Sequence, residues 1–76
     1  MGDVIEVFTD NVSEVFVVWH RDGVRLGGHR AFGTIPSSQY QRRWWRYTSL
    51  KDLYTDFRWL NKDMRFVEHL IVWGII

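Results

Sequence analysis

Three kinds of side chain in this sequence could do chemistry: the imidazoles of His20, His29 and His69, the hydroxyls of Ser37 and Ser38, and the carboxylates of Asp52 and Asp56. Imidazole titrates near neutrality and ligates zinc, so a histidine group is weighed first as acid–base machinery or a metal site. The spacing argues against both. His20 and His29 fall on one face of a predicted hairpin without being adjacent, and His69 lies far along the chain with no carboxylate spaced to join them. Ser37-Ser38 has no elbow motif and no oxyanion donors around it. Asp52 and Asp56 share a helix face at i,i+4 spacing, the ordinary pattern of a solvated surface. Gly27-Gly28 and Gly33 do not form a phosphate loop, because no helix opens after them and no Lys follows. The chain has no Cys, which removes disulfides, thiolate-bound zinc, Fe–S clusters and thiol nucleophiles. The sequence therefore reads as non-enzymatic, with no cofactor and no metal.

Binding chemistry is better represented. The run Gln41-Arg42-Arg43-Trp44-Trp45-Arg46-Tyr47 interleaves guanidinium groups with large aromatic rings. Arg engages phosphate or carboxylate, indoles stack on bases, and both residue types anchor protein interfaces. Arg42, Arg43, Trp44, Trp45 and Arg46 are the candidate contact residues, with Tyr40 and Arg30 at the edge. Strand alternation sends one of Trp44 and Trp45 to the core. Aromatics make up 17% of the chain, more than one small core needs, so some are expected outside. The net charge is only +1 but unevenly spread. Residues 1–19 carry Asp3, Glu6, Asp10 and Glu14 and no base, while residues 20–46 carry six Arg against Asp22. The four acids form an alternative contact strip, suited to a basic partner groove.

These residues need a scaffold, and its elements are legible. Val4 to Thr9 reads as a short strand, followed by a turn at Asp10-Asn11. Glu14 to His20 is the strongest strand signal, and Asp22-Gly23 after it is the favoured pair for a type I′ turn. Val24 to Phe32 returns, so hairpins span 3–33, with Gly27-Gly28 marking a bulge or close backbone approach. A two-residue turn sets Trp19 opposite Leu26 and His20 opposite Arg25. Val15, Val17, Trp19 and Leu26 then face the core. Phe16, Val18, His20, Arg25 and His29 share the other face, which is half covered or a contact surface. Segment 39–47 reads as a strand, with a helix capped at Ser38-x-x-Gln41 as the alternative. Ser49-x-x-Asp52 opens a helix over 50–61, with Leu50, Leu53, Tyr54, Phe57 and Leu60 on one face. The apolar run Leu70 to Trp73 points to a last, central strand over 64–73.

The fold class is therefore α+β: one domain, 1–76, with a small antiparallel sheet of about four to five strands and one helix on a face. Seventy-six residues leave no interdomain cleft, where many enzyme sites lie. The absence of Cys and of a signal-peptide pattern, with no apolar run long enough for a bilayer, points to the cytoplasm and away from membranes. In size and general character the chain is similar to the small accessory proteins of phages and mobile elements that act by stoichiometric blocking, inhibitors of restriction and CRISPR complexes among them. That similarity implies an inhibitor that covers a surface of a larger protein or ribonucleoprotein complex in the host. Direct nucleic-acid binding through residues 42–46 is the alternative, and a homo-oligomeric subunit a third reading.

Overall fold

The computed structural model describes residues 2–76. Its elements are β1 (Asp3–Phe8), β2 (Glu14–Arg21), β3 (Val24–Phe32), a 3-10 turn (Ser37–Gln39), β4 (Trp44–Tyr47), α1 (Leu50–Asp56), a second 3-10 turn (Arg58–Lys62) and α2 (Met64–Val72). The four strands form one antiparallel sheet in the order β3-β2-β1-β4. The helices lie on one side of it, giving the α+β fold expected.

The β2–β3 turn follows from its sequence. Asp22 and Gly23 have φ of 52° and 81°. These are the positive values a type I′ turn needs, and Arg21 pairs with Val24 around it. His20 faces Arg25 as expected, but Trp19 faces Gly27, because a bulge between the two pairs inserts Leu26. The cause is the Trp19 indole: a Cβ on Gly27 would lie 2.8 Å from its Cζ2, so only glycine can sit opposite. An inserted residue exchanges the faces of all that follow. His29 therefore pairs with Val17 on the core side, not with Phe16 on the other face, and Arg30 takes the place opposite Phe16.

The core lies between the odd-numbered side of β1 and β2 and the helices. Ile5, Val7, Val15, Val17 and Trp19 meet Trp45, Leu53, Phe57, Leu60, Phe66 and Leu70 there, all buried. Trp45 packs edge-on to Phe57 at 5.0 Å and 87°, and Trp19 edge-on to Phe66 at 6.0 Å. Ser49 caps α1 through the Asp52 amide at 3.2 Å, as its sequence signal predicts. The helix expected over 50–61 breaks at Phe57, whose φ and ψ are −122° and 67°, and resumes as the 3-10 turn.

The strand expected over 64–73 is instead α2. Asp63 caps it by accepting from the Phe66 amide at 3.2 Å. Phe66 and Leu70, four apart, are fully buried, while Ile71 and Val72 face solvent. At the far end Gly74 (φ 72°) donates to Ile71 O at 3.0 Å and Ile75 to Leu70 O at 2.9 Å, which is a Schellman closure. Both helix signals, Asp63 and Gly74, outweigh the apolar run between them. Segment 39–47 is also corrected in part. Neither a nine-residue strand nor a helix capped by Ser38 forms; the chain makes a 3-10 turn and then the four-residue β4.

Candidate functional site

The even-numbered side of β1 and β2 is not covered by a helix. Cross-strand pairing assembles its residues into rows. Arg30, Phe16, Phe8 and Trp44 stand opposite one another on β3, β2, β1 and β4. The next row is Gly28, Val18, Glu6 and Arg46, and the one beyond is Arg25, His20 and Val4. Phe8, Phe16 and Trp44 are 40%, 38% and 49% exposed. Together with Arg30, Arg43, Asp10 and Glu14 they line an open groove of about 580 Å³, the two acids lying beyond the aromatic row.

Two of these rings reach across to a neighbouring strand. A Cβ on Gly28 would stand 2.9 Å from Phe16 Cζ, so the phenyl ring rests over glycine backbone. Trp44 Nε1 donates to Glu6 Oε2 at 2.7 Å, which draws the indole over β1. The other oxygen of Glu6 is 2.9 Å from His20 Nε2. The Arg25 guanidinium sits 5.7 Å from the Phe16 ring centroid, within cation–π range.

The candidate residues separate on this geometry. Trp44, Arg46 and Arg30 are on the open face, and Arg43 lies at its rim, its guanidinium donating to Tyr40 O at 2.6 Å. Trp45, taken with them as a contact candidate, is 1% exposed and belongs to the core. Neighbouring residues of a strand point to opposite faces, so Trp44 and Trp45 cannot both be outside. Trp45 Nε1 donates to Gln39 Oε1 at 2.7 Å. Arg42 turns toward this core tryptophan, 5.6 Å from its ring, with Nε on Trp44 O. Tyr40 is exposed on the 3-10 side, away from the row.

The acidic strip does not form one surface. Asp3 lies on the Ile5 and Val7 side of β1 and is held by Arg21 at 2.7 Å, which keeps its carboxyl below the usual range despite some desolvation. Glu6 is on the open face, and Asp10 and Glu14 line the groove beyond the aromatic row. Phe8 and Phe16, central to the face, are not among the residues the Arg/Trp run points to. Their signal is the alternation Val4-Glu6-Phe8 and Phe16-Val18-His20, which places apolar side chains where no helix covers them.

Two of the three histidines, expected to lie far apart with no carboxylate to join them, meet in the structure: the His29 and His69 rings are 5.5 Å apart, while His20 is on the opposite face beside Glu6. His29 Nε2 is 3.0 Å from Asp63 Oδ2, and its ring stacks on Phe66 at 5.9 Å. The pair ties the α2 cap to the sheet. Burial pushes the Asp63 carboxyl up, but His29 and the Phe66 and Arg65 amides outweigh it and hold it below its ordinary value. Tyr47 is raised well above the usual phenol, by burial first and by its hydrogen bond to Asp56 at 2.6 Å. Among the described residues no group of three or more His, Asp or Glu is placed to hold a metal ion. No family model, curated protein or solved structure matches the chain. Among the described residues no helix is long and apolar enough to cross a membrane.

Proposed function

We propose that this chain is a binding module, without catalysis of its own, that acts stoichiometrically by laying the open face of its sheet on a larger protein or ribonucleoprotein complex in the cytoplasm. The observation that carries this reading is the row Phe16–Phe8–Trp44, exposed on a rigid sheet and bordered by Arg30 and Arg46. Soluble domains rarely leave contiguous aromatic area uncovered without a partner for it, and aromatic and Arg side chains at the centre of a patch are the usual anchors. Strands position such residues more firmly than loops do. Blocking of a functional surface, as an inhibitor does, is the mode that suits a chain this small.

The test is affinity capture from cell lysate by wild-type protein, Trp44→Ala and Phe8→Ala, with Arg58→Ala on the other side of the molecule as control. Loss of an anchor ring typically costs about 2 kcal/mol or more, roughly thirtyfold in affinity. The face variants are expected to lose the partners that the control keeps. Retention of every partner by folded Trp44→Ala and Phe8→Ala proteins would remove this face as the contact surface.

A further inference from the structure

We propose that the occupant of the open face is a single-stranded nucleic acid laid across the strands, its bases on the aromatic row and its phosphates at the arginines. This deepens, and rests on, the reading of that face as the contact surface, and takes the nucleic-acid strand of a ribonucleoprotein, not a protein surface, as what the face meets. Stacking needs ring faces, and the sheet supplies them. Phe16 meets Gly28 through the Cζ end of its ring and carries the Arg25 guanidinium 5.7 Å from its centroid, so ring and guanidinium stand together on the open face. Trp44 is drawn along the sheet by Glu6. Strands are spaced about 4.8 Å apart, so Phe16, Phe8 and Trp44 on three neighbouring strands span roughly 10 Å, room for two or three splayed bases. Arg25 against the Phe16 ring extends the stacking surface with a planar cation.

The charges complement a polyanion at both ends of the row. Arg30 stands on the β3 edge, and Arg43 and Arg46 stand at the β4 edge. The carboxylate in the middle, Glu6, accepts the Trp44 indole N–H and lies 2.9 Å from His20 Nε2. The low net charge of the chain hides this, because Asp3, Asp56 and Asp63 are held by Arg21, Tyr47 and His29, away from the row. Asp10 and Glu14 also line the groove and repel phosphate, so the backbone is placed along the row itself, between Arg30 at one edge and Arg43 and Arg46 at the other. A duplex offers no unstacked base to these rings, which makes a single strand the fitting form.

The experiment is fluorescence anisotropy with labelled poly-dT and poly-U of about twelve nucleotides, a length within the usual range for such sites. Binding to both is expected, weaker to the same length of duplex. Its log–log salt slope is expected near −2, from three phosphate contacts at about 0.7 each for single strands. Trp44→Ala is expected to weaken binding by about five- to 150-fold, the range for loss of one base stack. Arg30→Ala/Arg46→Ala is expected to make the slope shallower by about 1.4. Trp73→Ala, at the end of α2, is expected to bind like wild type. Each protein is first shown folded by its thermal melt. Absence of binding to either oligonucleotide at about 50 mM salt overturns the proposal, as does a folded Trp44→Ala protein that binds unchanged. Capture separates the two levels. If oligonucleotides do not bind but Trp44→Ala loses a nuclease-resistant protein partner, the occupant is a protein and the surface stands. If that variant keeps its partner too, the surface itself is wrong.

Discussion

Leu70→Ala and Val72→Ala, compared side by side, test the helical C-terminus directly. Leu70 is fully buried and Val72 is 78% exposed, although the two are only two residues apart. On a strand they would share a face, and a central strand would bury both. On α2 they are 200° apart, since each residue turns 100°. Leu70→Ala removes three buried carbon groups, which at about 0.8 kcal/mol each gives roughly 2 kcal/mol before any cavity is counted. The space left behind raises the cost to about 2–5 kcal/mol. For a domain this small each kcal/mol shifts the melting point by about 4–8 °C, so a fall of at least ~8 °C is expected. Val72→Ala removes side-chain carbons that are already in water, so its cost is expected to stay within about 0.5 kcal/mol. Thermal melts and urea titrations followed by circular dichroism measure both. A Val72→Ala protein destabilised as much as Leu70→Ala would refute the helix and restore the strand.

Two further outcomes follow from the packing. A Cβ on Gly33 would fall 2.4 Å from Trp59, whose Nε1 also donates to Thr34 O at 2.8 Å. Gly33→Ala is therefore expected to cost about 1–3 kcal/mol through overpacking, read as a lower urea midpoint with the slope unchanged. Asp63→Asn keeps a good N-cap for α2 but removes the charge facing His29. The Asp63 carboxyl is depressed in the folded chain below its ordinary 3.8, so its contribution is complete above that value and is lost as pH falls through the folded value. The melting-point gap between wild type and Asp63→Asn is thus expected at pH 7 and to close toward pH 3, and a gap constant over that range would contradict it.

The parts of this fold that are written locally were readable in advance. Asp22-Gly23 is a turn because both residues must take positive φ, and Ser49 is a cap because its hydroxyl meets the Asp52 amide. The bulge was half readable: Gly27-Gly28 marked it, but which residue it inserts depends on the Trp19 ring across the ladder, and that decided the faces of His29 and Arg30. The C-terminal helix was misread because Leu70-Ile71-Val72-Trp73 is apolar at every position, so periodicity carries little information. Its caps, Asp63 and Gly74, carried the answer. At the site, the density of Arg and Trp along 42–46 pointed to Trp44 and Arg46 but could not supply Phe8 and Phe16. Those join the surface through pairing between strands, a relation that distance along the chain does not express.

The two adjacent glycines of β3 link the core to the open face of the sheet. Trp19 lies over Gly27 on the inner side and Phe16 over Gly28 on the outer side, so each ring occupies the volume that a side chain would fill. The bulge beside Trp19 sets this arrangement, since it brings Gly27 opposite Trp19 and Gly28 opposite Val18. Had the ladder run on without it, Phe16 would have faced His29, and Arg30 would have turned to the core side. The same inserted residue thus places His29 against Asp63, where it fastens α2, and Arg30 at the end of the aromatic row. Val18, though uncovered by any helix, is buried between Glu6 and Gly28 in this row, so the floor beneath the rings is itself packed. Two of the exposed rings are thus restrained within the sheet, Phe16 by the Gly28 backbone and Trp44 by Glu6, and if this face binds as proposed those two lose less side-chain freedom than free rings would.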